Sequence, residues 1–326
     1  MIRNNPRLQV FFRPFRYSRF TFTGVNYLLA ALALPALLHG ILLYGRYAVR
    51  VAALAVAACM LWDALFELLS GKKTRIYDGS ALLCGLLLAL LLPPTVPWWT
   101  VVVAGGAAVF LGKQLFGGAG GSPFNAVCIG WAVAMVSWKH LFDPSTACIG
   151  FSLPFEQTEF PLSVLRRVGA PALELFPLKS LLLGHQAGCI GTGAPLLLLG
   201  GGCIAVLLGL VPWIIPVAFA GAVAVTSILF IPAGMEHGYL FPLMHLLTGY
   251  TMIGAFFIAG DFSSRPMVPK VMVVYGIAAG VLTVLFRQWS AYPEGLPFAM
   301  LIVNMAVPLL DRGRKPAATV PGVVRL

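Results

Sequence analysis

Residues 27–44 read YLLAALALPALLHGILLY. Eighteen positions pass without a charged side chain. On an α-helix they rise about 27 Å, close to the ~30 Å hydrocarbon thickness of a bilayer. The rest of the chain agrees with this run. Of its 326 residues, 59% are hydrophobic and 10% are charged, and the mean hydropathy is +0.90. A soluble domain carries about 25% charged residues, so these side chains cannot cover a water-facing surface, and an ordinary soluble enzyme is excluded. The 22 Lys and Arg stand against 11 Asp and Glu, for a net charge of +11. They are too scattered to form a nucleic-acid face, so no nucleic-acid partner is expected; the excess reads as a membrane topology signal, with the lipid bilayer as partner.

Outward from 27–44, apolar runs bounded by charge or by Pro and Gly fall at Val49 to Leu69, Ser80 to Leu92, Trp98 to Leu115 and Pro123 to Trp138. Five more follow a polar stretch over 139–180: Ala194 to Val211, Trp213 to Ile231, Tyr239 to Ala259, Val271 to Phe286 and Leu296 to Leu310. The expectation is an all-α polytopic membrane protein of about ten transmembrane helices. It divides into an amphipathic N-terminal segment (1–25), a first membrane half (26–138), an external loop with a glycine-rich region (139–193), a second membrane half (194–311) and a tail (312–326). With the N-terminus inside, fifteen basic residues fall on the cytoplasmic side and seven outside, so the positive-inside rule puts both termini in the cytoplasm. Five crossings before the loop make the second five start from the opposite side, the layout of an inverted repeat. Ser80 to Leu92 is short and ends in Pro93-Pro94, and Gly184 to Gly193 is broken by glycines. Such segments mark non-helical backbone lining a site.

Several constellations carry chemistry. Lys113–Asn125 (KQLFGGAGGSPFN) puts a cation, glycines, Ser122 and Asn125 at a cytoplasmic helix junction. Glycines let backbone N–H groups approach an anionic or planar ligand; a plain turn with Ser122 as N-cap is the alternative. Asp78-Gly79-Ser80-Ala81, which opens the short third run, is a second such cluster, with an Asp or Ser helix cap as the alternative. Asp63 and Glu67 share one helix face, and ionisable groups at membrane depth are functional candidates; pairing with Lys72 and Lys73 is the structural alternative. Asp261 ends the eighth run, with Arg265 and Lys270 as ordinary partners. Asn304 is expected to bond across helices. The histidines (His39, His140, His185, His237, His245) lack metal-ligand spacing and read as structural. The six cysteines include no C-x-x-C, against a metal centre in this chain alone. Cys148 and Cys189 fall on the external side, where a disulfide stays open. ATPase, hydrolase and protease motifs are absent.

Four segments, DGSALLCGLLLALLLPP (78–94), KQLFGGAGGSPFNAVCIGW (113–131), GAFFIAGDFSS (254–264) and YPEGLPFAMLIVNMAVPLLD (292–311), together closely resemble the RnfD family, the D-type membrane subunits of the Rnf-type electron transport complex. That family is in turn similar to NqrB, a membrane subunit of the sodium-pumping NADH:quinone reductase. The resemblance runs in order along nearly the whole chain. It implies a bacterial inner-membrane subunit of a translocase that moves electrons between ferredoxin and NAD, coupled to Na⁺ or H⁺ transport. The chain would not be catalytic alone and would work with the other Rnf subunits (A, B, C, E and G).

The resemblance also implies flavin. The family attaches FMN through its phosphate to a Thr in the external loop after the fifth helix. Here that stretch is Val168-Gly169-Ala170-Pro171-Ala172-Leu173, with Pro171 at the acceptor position and no hydroxyl between Ser163 and Ser180. A phosphoester needs a hydroxyl, so FMN there is expected to be non-covalent or absent. Backbone around Gly169, Ala170, Gly184 and Gly191, with Lys179, Arg166 or Arg167 at the phosphate, would hold it. The family's G-x-x-G-x-x-G-E run has Thr192 in place of its acid. The family's N-P-F-N turn, implicated in a second, non-covalent flavin (FMN or riboflavin), is Ser122-Pro123-Phe124-Asn125 here, and an Asn amide suits a ring edge through both its ends. Asp63, Glu67 and Asp261 are the ion-coupling candidates. A redox-silent, transporter-like or assembly scaffold is the alternative that the missing Thr suggests.

Overall fold

The first long helix, α1 (Phe22–Tyr44), starts five residues before the apolar run because Thr21 caps it, its hydroxyl accepting from Gly24 N–H at 3.2 Å. It ends at Gly45, whose φ of +57° turns the chain directly into α2 (Arg46–Leu69). The computed structural model describes residues 20–71, 76–143, 159–169, 171–231, 238, 240–290 and 294–311. The N-terminal amphipathic stretch to residue 19, Lys72, Lys73, Cys148, Ala170, His237 and the tail from 312 lie outside the described residues. Next come α3 (Ser80–Leu91), α4 (Trp98–Gly112) and α5 (Ala126–Ser137). The 139–180 stretch, expected as a loop, holds three short helices, α6 (Pro161–Val168), α7 (Ala172–Leu175) and α8 (Leu178–Leu183). The second membrane half is α9 (Pro195–Leu207), α10 (Ile214–Ile228), α11 (Leu240–Leu247), α12 (Thr251–Ile253, continuing as a π-helical turn Gly254–Ile258), α13 (Pro269–Trp289) and α14 (Leu296–Asp311).

Among the described residues there is no β-strand. Helices α1, α2, Trp98–Phe116 and α13 are long and apolar enough to cross a membrane, and the bent pair α11–α12 makes a fifth. Helices α3, α5, α9, α10 and α14 are apolar but 10–17 residues long. The chain is thus an all-helical membrane protein.

Small residues set the packing, as expected where lipid is as apolar as a side chain and only close approach distinguishes a partner. A Cβ on Gly201 of α9 would stand 2.4 Å from the Leu32 carbonyl oxygen of α1, and one on Gly130 of α5 would stand 2.6 Å from the Ala104 carbonyl oxygen of α4. Gly280 of α13 meets the Phe219 carbonyl of α10 in the same way. Helices α2, α3, α4 and α5 pack in one group, and α10, α11, α13 and α14 in another. The two are laced together by α1 on α9 and α14 on α5. The Asn304 amide expected to bond across helices does so, its oxygen accepting from the Tyr275 hydroxyl at 2.8 Å.

Two local results depart from a simple reading of the runs. The eighth run is not one helix: it bends by 67° between α11 and α12. Gly249 sits at φ +66° in the break, and buried side chains serve the freed backbone groups. The Arg287 guanidinium donates to the His245 carbonyl at 2.7 Å and the Thr248 carbonyl at 3.2 Å, while the Glu294 carboxylate accepts from Tyr250 N–H at 3.2 Å. Secondly, residues 186–193 are buried in the helix bundle. Ile190 N–H donates to the carbonyl of Leu92, the C-cap of α3, at 3.2 Å, and Gly191 N–H to that of Leu90, in its last turn, at 2.8 Å. Cys189 is a buried thiol 3.0 Å from the Tyr250 hydroxyl.

Candidate functional site

Three of the four motif segments, 78–94, 113–131 and 254–264, meet at one end of the bundle. The first turns of α1 and α3, the C-terminal end of α4, the turn before α5 and the chain after α12 surround a cleft of about 700 Å³ of empty space, its solvent-open part included. Its walls are apolar, with Leu83, Leu87, Val109 and Phe257 among them, and a few polar groups converge on it: Asn26, Ser80, Lys113, Ser122, Asn125, Asp261 and Ser263. Apolar walls with a few placed polar groups are the usual make-up of a cofactor site. Phe22 and Phe262 meet edge to face at 5.0 Å at one side.

The polar groups are wired. Lys113 leaves α4 where the helix ends, and its buried ammonium donates to Asp63 Oδ2 on α2 and to Ser80 Oγ, both at 2.7 Å. Gln114 Nε2 donates to the other Asp63 oxygen at 2.6 Å. Ser80 Oγ in turn donates to Asp78 Oδ1 at 2.7 Å, and the same oxygen accepts from Ser80 N–H at 2.8 Å. The N-cap of α3 is Gly79, at φ +74°, rather than Asp78 or Ser80; Asp78 binds the first residue of the helix from one position further back, and Ser80 links it to Lys113. Asp63 pairs with Lys113, a partner 50 residues away in sequence that the run of charges near Lys72 did not suggest. Buried charges in so apolar a chain are expected only in such pairs.

Asn125 is the N-cap of α5: its oxygen accepts from Val127 N–H at 3.0 Å and Cys128 N–H at 3.2 Å. Its amide donates to Asp261 Oδ2 at 3.1 Å and to the Ile258 carbonyl at 3.3 Å. Asn125, and not Ser122, caps the helix, and both ends of its amide are engaged by protein. Asp261 is thus held by Asn125 and by the Ser263 hydroxyl at 3.1 Å. Arg265 donates to the Gly260 carbonyl at 3.2 Å. Burial pushes the Asp261 carboxyl above the usual carboxylate range, and the Ser263 donors pull it partly back.

The structure therefore brings Lys113, Ser122, Asn125 and Asp261 together, with Asp63 directly behind Lys113. Glu67 is buried one turn further along α2 and does not line the cleft. Asn26, Phe22, Phe262 and Ser263 complete it and escaped the sequence reading. The one available signal was Asn26, a polar side chain just ahead of an uncharged run.

The outer set is dispersed. Lys179 is exposed on α8, and Ala170 lies outside the described residues. Gly169 ends α6 at φ +73° with open space about it. Arg167 pairs with Glu159 at 2.8 Å on the surface. Gly184 and Gly191 lie against backbone: a Cβ on the first would meet the Gly193 carbonyl, and one on the second would stand 2.9 Å from that of Leu90. The Thr192 hydroxyl closes its own turn, donating to the Cys189 carbonyl at 2.9 Å. These glycines serve close packing rather than an open cradle, because their N–H and Cα faces are filled by α1 and α3.

Comparison with known proteins gives the same direction as the motifs. The model of the NQR2, RnfD, RnfE family matches residues 9–319. The chain is 32% identical over 290 residues to the D subunit of the proton-translocating ferredoxin:NAD(+) oxidoreductase complex of Clostridium ljungdahlii, covering 86% of this chain and 87% of that one. It is 31% identical over 287 residues to the D subunit of the Na(+)-translocating ferredoxin:NAD(+) oxidoreductase complex of Acetobacterium woodii, covering 86% of each. To the D subunit of the ion-translocating oxidoreductase complex of Vibrio cholerae it is 32% identical over 338 residues, covering 92% of this chain and 95% of the other. A match of this extent, over the same segments that build the cleft, means that the chain belongs to the NQR2, RnfD, RnfE family.

Proposed function

We propose that the chain is the D-type membrane subunit of a bacterial Rnf complex, which passes electrons between ferredoxin and NAD while moving Na⁺ or H⁺, and that it holds a flavin in the cleft beside Lys113. The names of its relatives support the complex and its ion transport. The cleft supports the flavin: it is the one place where the predicted residues Lys113, Ser122, Asn125 and Asp261 converge. The other Rnf subunits (A, B, C, E and G) are the partners, and the bacterial inner membrane is the location. Ten crossings as two inverted sets of five, with both termini cytoplasmic, fit the ten apolar helical segments and the fifteen-to-seven division of basic residues.

The residues suit a flavin, either FMN or riboflavin. Lys113 uses its ammonium on Asp63 and Ser80, which leaves one of its three N–H groups for a ring oxygen. Ser122 offers a second polar contact, and Asp261 an acceptor for a ring N–H. Asn125 fixes the height of Asp261 and the start of α5. A flavin bound there supplies a carrier of one or two electrons, with a potential that these charges and hydrogen bonds tune. In the outer loop, Pro171 supplies no ester oxygen, so any FMN there is non-covalent. Asp63, Glu67 and Asp261 are the candidates for ion coupling.

The test is to denature the purified complex and assay flavin both in the gel band of this chain and in the supernatant. Flavin in the supernatant is expected, falling by about one equivalent in an Asn125→Ala, Asp261→Ala double variant that still assembles. Unchanged flavin in the double variant would remove the flavin from this cleft; Pro171 favours the second reading, a redox-silent scaffold, and flavin in neither the band nor the supernatant of the purified chain would decide for it.

A further inference from the structure

Helices α10 and α13 run side by side from the end of the bundle that holds the inner cleft. Asp261 and Ser263 of that cleft lie in the turn leading into α13, where Arg265 reaches the Leu210 carbonyl, just ahead of α10, at 3.5 Å. Glycines close one seam between the two helices: a Cβ on Gly280 would stand 2.6 Å from the Phe219 carbonyl oxygen, and one on Gly276 2.8 Å from Ala218 Cβ. Beside the seam the helices part. Val217, Gly221 and Val225 of α10 and Val273, Ile277 and Val281 of α13 wall a furrow of about 1210 Å³ of empty space, its open part included. Val217, Val225, Val273 and Ile277 are exposed, so the furrow opens toward lipid. A Cβ on Gly221 would meet nothing within 4 Å.

The two ends of the furrow differ. Trp213 and Lys270, both exposed, stand at the end nearest the inner cleft. Lys270 is the one charged residue of the lining, and it makes no ion pair among the described residues. Asp261, the acid that precedes it, is held by Asn125 and Ser263. Thr226 closes the far end. The lining stretches, 214–226 and 270–281, rise about 17 Å, close to one leaflet of a ~30 Å hydrocarbon core. Helix α13 runs on past Val281 to Trp289 without the furrow. A partner's transmembrane helix needs a furrow through both leaflets, whereas one acyl chain needs the depth of one. A cation and an indole at the mouth belong at the level of lipid headgroups, and an unpaired ammonium there attracts an anionic one.

We propose that this furrow seats one acyl chain of an anionic phospholipid, with the headgroup phosphate at Lys270 and the chain lying along Gly221 toward Thr226. The apolar walls supply the affinity for the chain. The Lys270 ammonium selects the headgroup, and the depth of the furrow places the lipid in the leaflet on the inner-cleft side. Neither Lys270 nor Gly221 lines the inner cleft, so the lipid and the flavin stand or fall separately.

The intact complex in detergent is titrated with phosphatidylglycerol and, separately, with phosphatidylcholine, and its melting temperature is followed. A saturable rise is expected with both, at lower concentration for phosphatidylglycerol. Lys270→Gln should raise the half-saturating concentration of phosphatidylglycerol about fivefold and leave that of phosphatidylcholine unchanged. Gly221→Phe, whose ring enters the furrow, should remove the rise with either lipid while flavin content stays as in the wild type. Equal half-saturation by the two lipids in the wild type, or the same curves in wild type and both variants, would overturn the proposal. So would loss of another subunit from the complex in Gly221→Phe, which would give the furrow to a partner's helix.

Discussion

Lys113 and Asp63 are 50 residues apart in the chain and 2.7 Å apart in space. Neither is more than 9% exposed at its side chain. A pair of this kind adds little net stability, yet losing one member strands a charge at a cost of about 3–5 kcal/mol. Asp63→Leu alone should therefore lower the melting temperature of the solubilised protein steeply. Asp63→Leu together with Lys113→Met should restore much of it, and a double variant no better than the single one would show that the charges do not depend on each other. The same residue pair shows what could be read in advance. Lys113, Ser122, Asn125 and Asp261 were legible because each interrupts an apolar run or sits in a glycine turn. The pairing was not, since local sequence offered Asp63 two nearer lysines and only the fold carries α4 past α2. The place of Asn125 at a helix junction was legible, but its part as the cap of α5 was not, because a cap and a ligand-binding amide look alike in sequence.

At the scale of the helix, boundaries and packing separate. The apolar runs located the helical segments to within a few residues, because charges and Pro-Gly breaks coincide with the helix ends. The break between α11 and α12 stayed hidden: the residues that stabilise it, Arg287 and Glu294, come from a later part of the chain. So did the burial of 186–193, which depends on carbonyls left open at the end of short α3. Helix α9 allows a clean test of close packing, since it carries neighbouring glycines in unlike settings. A Cβ on Gly200 would meet nothing within 4 Å, whereas one on Gly201 would stand 2.4 Å from the Leu32 carbonyl oxygen. Gly200→Ala should be neutral or stabilising by up to about 1 kcal/mol through helix propensity. Gly201→Ala should destabilise by about 1–3 kcal/mol, as overpacking does. Equal melting temperatures for the two variants would refute the α1–α9 contact.

For the molecule as a whole, the proposed orientation, with both termini in the cytoplasm, rests on a division of the basic residues into fifteen inside and seven outside. Single cysteines placed at Leu115 and at Lys139, both exposed positions at opposite ends of α5, report it directly. In intact cells an impermeant maleimide should label the variant at Lys139 and spare the one at Leu115, and the reverse pattern would invert the topology. The expected labelling would put the inner cleft on the cytoplasmic side. The lacing of α1 onto α9 also has a kinetic side. Leu32 and the glycine it touches, Gly201, are separated by more than half the chain. At ribosomal rates of about 5–20 residues per second, α1 waits roughly 8–35 s for its close-packed neighbour to be made. During that interval the part of α1 that Gly201 will meet is open to lipid or to an insertion chaperone, although α2 and α3 are already made, so this helix completes its packing late.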